Sequence, residues 1–293
     1  MSGEQIRAVR SFNRTVTRRV GALDASFLDR GRPLGEARLL YEIGTAGSEV
    51  GLLRDRLGLD SGYLSRLLRS LEGHGLVRTQ RRAGDGRLRF AEPTPLGIAE
   101  LAEYERRSDG FAASLLAPLG GIQRDRLLAA MAEVERLLRA AAVEIRLERS
   151  DSAAARRCLE QYFAEIAQRF AGGFDPAASP SPSPAELTPP RGALLVARLD
   201  GAAVGCGMLR AAEAATGEIK RLWVHASVRG LGVGRRLLGE LEAAARRFGL
   251  DRVRLDTNAA LNEAQNLYRS SGYREIPQYN DDPYAHYWFE KTL

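Results

Sequence analysis

Arg229-Gly230-Leu231-Gly232-Val233-Gly234, followed without a break by the helical run RRLLGELEAAARRFG at 235–249, is the densest signal in the chain. A strand-like stretch, GEIKRLWV at 217–224, leads into it. A glycine-rich loop running from strand to helix aims several backbone N–H groups at one spot, and the positive end of the helix reinforces them, so the spot holds an anion. Glycines are required because side chains would keep phosphate oxygens off the backbone. A Rossmann loop needs a third glycine at 235, where Arg235 stands, and opens a first βαβ unit, although Asp256 sits at the spacing of a ribose-binding acid. A Walker A loop needs Gly-Lys-Ser/Thr, which is absent. A plain tight turn does not require three alternating glycines flanked by Arg229, Arg235 and Arg236.

Working outward, residues 193–199 and 203–211 read as two further strands, residues 143–149 (VEIRLER) alternate like another, and a helix is expected over 152–170. Residues 171–192 carry Pro176, Pro180, Pro182, Pro184, Pro189 and Pro190 among Gly, Ala and Ser, the composition of a long loop. The run 284–290 alternates like a last strand. The spacing therefore predicts an α/β domain over 143–293, with the boundary at 142.

Three ordered motifs here resemble the GNAT acetyltransferase superfamily. Arg229, Gly232 and Gly234 match its pyrophosphate loop, R/Q-x-x-G-x-G/A; residues 218–224 resemble its bulged fourth strand; Ala264, Leu267, Tyr268, Gly272 and Tyr273 match AxxLYxxxGF. The resemblance implies a mixed, mostly antiparallel central sheet and acetyl-CoA as acyl donor. The implied contacts are Leu222, Trp223 and Val224 on the strand, and Arg229, Gly230, Leu231, Gly232, Val233, Gly234 and Arg235 in the loop. Many relatives carry Asn three residues before the motif's Ala; this chain has Leu261 there with Asn262 beside it, so Asn262 joins the expected contacts.

A lysine-like amine is protonated at neutral pH, and attack on a thioester needs the free base. Glu218 stands on the strand where several family members place a carboxylate base; the competing reading is a surface residue paired with Lys220 or Arg221. A backbone N–H at the bulge near Val224 would meet the developing oxyanion. The resemblance makes Tyr268 the proton donor to the departing thiolate; otherwise it is a core tyrosine. Asp281 and Asp282 are candidates for lining an acceptor pocket, against a plain acidic turn. His74, His225 and His286 are scattered, so no metal is expected; Trp223 and Trp288 read as core.

Residues 1–142 carry 23 Arg against 18 acidic residues, and residues 143–293 carry 20 Lys and Arg against 19, so the basic excess lies in the first half. That suits a phosphate-rich partner. Helical spacing predicts helices over 4–30, 35–44, 49–56 (capped by Ser48), a further one from Ser61 to Gly73, then 97–109 and 122–142. Two short helices around Gly58-Leu59-Asp60 form a helix-turn-helix pattern. Stretches 76–82 and 87–92 flank Ala83-Gly84-Asp85-Gly86 as a hairpin with Arg78, Arg81, Arg82, Arg87 and Arg89, a wing suited to phosphates and a minor groove.

Leu71-Glu72-Gly73-His74-Gly75-Leu76-Val77-Arg78, then Asp85-Gly86-Arg87, then Thr94-Pro95-Leu96-Gly97 resemble the MarR family over about residues 5–142. The expected fold class is thus two domains: a mainly α winged helix-turn-helix, 1–142, then the α/β domain, 143–293. The resemblance places Ser61, Gly62, Tyr63, Ser65, Arg66 and Arg69 on a recognition helix in the major groove, with Arg81, Arg82 and Arg87 on the wing. It implies double-stranded DNA with a pseudo-palindromic operator, and a homodimer built from the first and last two helices of that domain.

The composition is globular, with 44% hydrophobic and 27% charged residues. No run of eighteen apolar residues exists and the start lacks a signal peptide's apolar core, so a cytoplasmic protein is expected. Cys158 and Cys206, 48 positions apart, read as buried small hydrophobes rather than a redox or metal pair. The leading functional expectation is a transcriptional regulator that is also an N-acetyltransferase for an amine. The alternatives are a transcription factor whose second domain only senses acyl-CoA, and an enzyme that uses the winged helix solely to dimerise.

Overall fold

A computed structural model describes residues 2–82, 85–179, 181–213 and 215–293, without the side chains of residues 82 and 85–88. Of the expected turn at 83–86, residues 83 and 84 lie outside the described residues, as do the side chains of Arg82 and Arg87. Two compact units result, Met1–Ala129 and Ala130–Leu293.

In the first unit come α1 (Gly3–Arg19), α2 (Leu34–Ile43), β1 (Ser48–Glu49), α3 (Val50–Leu57), α4 (Ser61–Gly73), β2 (Val77–Arg82), β3 (Asp85–Pro93), α5 (Pro95–Leu116) and the start of α6 (Gly121–Ala142). The sheet order is β1-β3-β2. The α4 helix forms where leucines recur at three or four: Leu64, Leu67, Leu68 and Leu71 are all buried. Asp60 caps it, accepting from the Tyr63 amide at 2.8 Å. Gly75, at φ 68°, turns the chain into β2. Thr94 caps α5 and its hydroxyl donates to the Gly75 carbonyl at 2.6 Å. A Cβ on Gly97 would stand 2.0 Å from the Leu76 carbonyl oxygen, so this crossing of hairpin and helix admits only glycine.

The helix expected over 4–30 stops at Arg19. Gly21, Leu28 and Asp29 all take left-handed φ values (66°, 51° and 55°), which an α-helix excludes. Ser48 is not a cap: Ser48 and Glu49 pair with Ala91 and Phe90 as a short strand. α5 runs past the expected residue 109 to Leu116.

The second unit begins within α6 and continues through β4 (Glu144–Glu148), α7 (Ala153–Arg169), β5 (Gly192–Leu199), β6 (Ala202–Ala211), β7 (Thr216–Val224), α8 (Val233–Arg247), β8 (Arg252–Thr257), α9 (Asn262–Ser270), β9 (Arg274–Ile276) and β10 (Tyr287–Thr292). Among the described residues its seven strands are ordered β4-β5-β6-β7-β8-β10-β9, and only β7 and β8 run parallel. This is the mixed, mostly antiparallel sheet that the resemblance implied. Both faces are covered, which is why β5 is apolar from Ala193 to Ala197. Leu195, Ala197 and Leu199 join the core under α8, while Leu194 and Val196 pack with Ala155, Cys158 and Cys206 under α7. Both cysteines are fully buried, as expected.

Two features of β7 create a site. Its pairing with β8 covers only Thr216↔Arg252 to Glu218↔Arg254, after which the strands part. Against β6, the register shifts between Cys206↔Trp223 and Met208↔Lys220, so Arg221 and Leu222 bulge opposite Gly207. Arg221 takes φ 53°, a strained value for a residue with a side chain. The bulge thus lies just ahead of Val224.

Candidate active site

Where β7 and β8 separate, a cleft of about 500 Å³ opens between α7, the loop after β7 and α9. Gly230 and Gly232 both take φ 75°, and Gly232 precedes α8 without any side-chain cap. Among the described residues, the amides of Gly232, Val233, Gly234 and Arg235 find no backbone carbonyl acceptor, as expected for a helix's first turn. All four residues line the cleft, and free amides at a helix start are a favourable place for an anion. This arrangement fits the diphosphate of a coenzyme A thioester.

Leu222, Trp223, Val224, Arg229, Gly230, Gly232, Val233, Gly234 and Arg235 all line this one cleft. Leu231 does not; it packs against the core under α8. Asn262 is exposed and off the cleft, whereas Asn266, one turn on, lines it. Arg229 is ion-paired to Glu165 of α7 at 2.5 Å and donates from Nε to the Val224 carbonyl at 3.0 Å. Glu165 also accepts from Trp223 Nε1 at 2.8 Å. Burial works to raise its pKa, but Trp223 and Arg229 outweigh that and hold the carboxyl below its ordinary value. Sequence reasoning missed Glu165 because its partner lies 64 positions away.

A smaller pocket of about 70 Å³ adjoins the cleft, and Tyr162, Leu222, Leu261, Ala264 and Tyr268 line both. Tyr268 is 5% exposed, its ring against Tyr273 and Phe289. Its hydroxyl makes no hydrogen bond among the described residues, and burial raises the phenol's pKa, helped by Tyr162 and Asp256. A protonated, unengaged donor therefore sits at the junction of the two cavities.

Glu218 is 1% exposed and lines neither cavity. It accepts from Arg210 Nε at 2.7 Å and from the Tyr279 hydroxyl at 3.0 Å, with Lys220 Nζ at 3.3 Å. Burial pushes its pKa up, but Lys220 and Arg210 overrule burial and hold it below the ordinary value. It is thus paired with Lys220, one of the two partners considered, but deep inside the fold. Of the acidic pair at 281–282, Asp282 is 7% exposed and lines the small pocket, while Asp281 is exposed.

In the first unit, Ser61, Gly62, Tyr63, Arg66 and Arg69 are exposed on one side of α4 and Ser65 is half-buried. The Arg66 guanidinium lies 5.5 Å from the centre of the Tyr63 ring, and Arg69 Nε donates to the Ser65 carbonyl at 3.3 Å. On the hairpin, Arg81 stands directly across from Arg89, both exposed. Like charges facing each other across strands destabilise a sheet unless an anion neutralises them.

The profile of the Acetyltransferase (GNAT) family matches residues 159–273, and that of the MarR family matches residues 30–88. An IAA acetyltransferase of Azospirillum brasilense is 38% identical over 103 residues, 34% of this chain and 67% of that protein. An uncharacterised N-acetyltransferase of Mycobacterium bovis is 34% identical over 88 residues, 30% of this chain and 56% of that protein. The chain thus spans little more than half the length of the latter relative and two thirds of the former. A GNAT-family acetyltransferase of Staphylococcus aureus Mu50 aligns in structure with a TM-score of 0.45 and 18% identity, over 52% of this chain and 99% of that one. The chain belongs to the GNAT acetyltransferase family and carries a MarR-family segment ahead of its transferase domain.

Proposed function

We propose that the chain is a DNA-binding regulator whose second domain, 143–293, transfers an acetyl group from acetyl-CoA to a primary amine. The observation that carries the transfer is Tyr268, whose free hydroxyl lies where the donor cleft meets the small pocket. The thioester supplies an activated acyl carbon: the amine nitrogen bonds to it, the C–S bond breaks, and the amine gives up one proton. The amides at 232–235 and the Arg229 and Arg235 guanidinium groups hold the diphosphate; Leu222, Trp223 and Val224 line the acyl end. Tyr268 donates its proton to the leaving sulfur. The base is on the acceptor side, where Asp282 lines the pocket and Glu218 does not.

The domain before it, 1–142, reads duplex DNA through α4 and the hairpin. The facing pair Arg81 and Arg89 supports a polyanionic partner. Ile6, Val9 and Phe12 of α1 are 48–60% exposed, and Ile122 and Leu128 of α6 are 79% and 50% exposed. Such apolar faces support a homodimer, which would match a pseudo-palindromic operator.

Thiol release from acetyl-CoA across a panel of amines tests the transferase. Turnover with at least one amine is expected. Tight acetyl-CoA binding with no release across the panel would instead make the domain an acyl-CoA sensor.

A further inference from the structure

The bulge residue Arg221 is 8% exposed, and its side chain lines the small pocket. Its guanidinium lies 5.7 Å from the Tyr162 ring centre, 5.3 Å from Phe163 and 5.7 Å from Phe174, held in an aromatic cage. Its Nη2 donates to the Ser179 carbonyl at 3.3 Å, Ser179 Oγ at 3.2 Å and Ser181 Oγ at 2.9 Å. Among the described residues Nε is buried without a partner and no carboxylate ion-pairs with this arginine. A buried guanidinium ordinarily requires a carboxylate or phosphate across its planar fork. The pocket's other cation, Lys220, is already matched by Asp256 and Glu218.

Asp282 forms the opposite pole. It lines the same pocket, is 7% exposed, and accepts from Ser179 Oγ at 2.7 Å and the Tyr284 amide at 3.0 Å. Among the described residues no cation pairs with it. One wall of the pocket therefore offers a cation and an anion, separated by the Ser179 hydroxyl that touches both.

Resting on the transferase reading, we infer that the acceptor is a small amino acid, bound with its carboxylate on Arg221 and its ammonium toward Asp282. The carboxylate supplies the missing counter-charge. Asp282 draws the ammonium into the pocket and takes its proton, leaving the free amine beside Tyr268. A pocket of about 70 Å³ restricts the ligand to a handful of non-hydrogen atoms, since about 10–15 Å³ of such cavity volume admits one water.

The test uses the full chain with acetyl-CoA and three matched acceptors: L-alanine, L-alaninamide and ethylamine. Thiol release is followed beside calorimetric binding of N-acetyl-L-alanine and its amide, for wild type, Arg221→Lys and Arg221→Gln. A kcat/KM for alanine about 100-fold above both analogues, falling below about tenfold in Arg221→Gln with partial retention in Arg221→Lys, is the expected result. The wild-type comparison stands even if a variant fails to fold. Equal use of alaninamide or ethylamine overturns the amino-acid reading and leaves the transferase intact. Carboxylate-selective binding without thiol release from any acceptor upholds the Arg221 site and sinks the transferase. Neither selectivity nor release overturns both.

Discussion

Tyr268→Phe removes one oxygen atom and nothing else. The wild-type hydroxyl makes no hydrogen bond among the described residues, so its removal forfeits none of the roughly 0.5–1.5 kcal/mol that a typical bond contributes. The ring contacts with Tyr273 and Phe289, at 5.9 and 5.8 Å, persist in phenylalanine. The Tm is therefore expected to stay at the wild-type value or rise slightly. Catalysis is another matter, because a positioned general acid contributes about 10²–10⁴-fold. At about 1.36 kcal/mol per tenfold, that loss corresponds to roughly 3–5 kcal/mol of transition-state stabilisation. Acetyl-CoA affinity, set mainly by the backbone cradle at 232–235, should change less than about threefold, well under the 1.4 kcal/mol of a tenfold effect. Because burial raises the phenol's pKa, wild-type Tyr268 remains protonated through pH 9, and no alkaline loss from this group is expected there. The assay measures kcat by thiol release, acetyl-CoA Kd by calorimetry and Tm by scanning. A kcat within threefold of wild type, or parallel losses of kcat, affinity and Tm, would refute the assignment.

Glu218→Ala takes the shared carboxylate from buried Lys220 and half-buried Arg210, which keep Asp256 and Glu186, and should destabilise the protein by about 1–3 kcal/mol, read as the urea midpoint. The folded-state pKa of Glu218 lies below its unfolded value, so its contribution is complete above about pH 4.3 and disappears as pH falls through the lowered value. The stability gap between wild type and Glu218→Gln should accordingly close only in acid; a gap that widens there would contradict the network. Gly232→Ala places a Cβ at φ 75° with no neighbour within 4 Å, so its cost is conformational, about 1–2 kcal/mol, and acetyl-CoA binding should weaken about tenfold. Gly234→Ala, with ordinary contacts at 3.5 and 3.6 Å, should keep the wild-type Tm. Replacing Arg66, Arg69 or Arg81 with Ala should each reduce the log–log salt slope of duplex binding by about 0.9 if that side chain neutralises one phosphate. An unchanged slope in all three would remove α4 and the hairpin from the interface.

The glycine loop was legible because what it does is local: positive φ, bare amides and a helix start all follow from six consecutive residues. The same holds for α4, where four leucines at helical spacing mark the buried side and leave Arg66 and Arg69 outside. The break after Arg19 escaped notice because Val20 continues the apolar spacing, and a lone Gly21 carries little weight against it. β1 is two residues long, too short for any alternation to show. The charged residues of β7 were harder. Glu-Ile-Lys-Arg looks like an exposed strand, and the sequence leaves Glu218 open between a catalytic base and a surface residue paired with Lys220 or Arg221. Yet Glu218, Lys220 and Arg221 are all at least 92% buried, because partners at Arg210, Asp256, Tyr279 and the 162–181 segment arrive from elsewhere in the chain. The bulge then decides which of these charges meets the pocket: it turns Arg221 into the aromatic cage and leaves Glu218 behind among its own cations. Backbone chemistry is written in neighbouring residues, but the balance of buried charge depends on tertiary pairing. That is why the donor side of the cleft could be read directly, while the acceptor side emerges only when each buried charge is matched to its counter-charge and, among the described residues, Arg221 and Asp282 are left over.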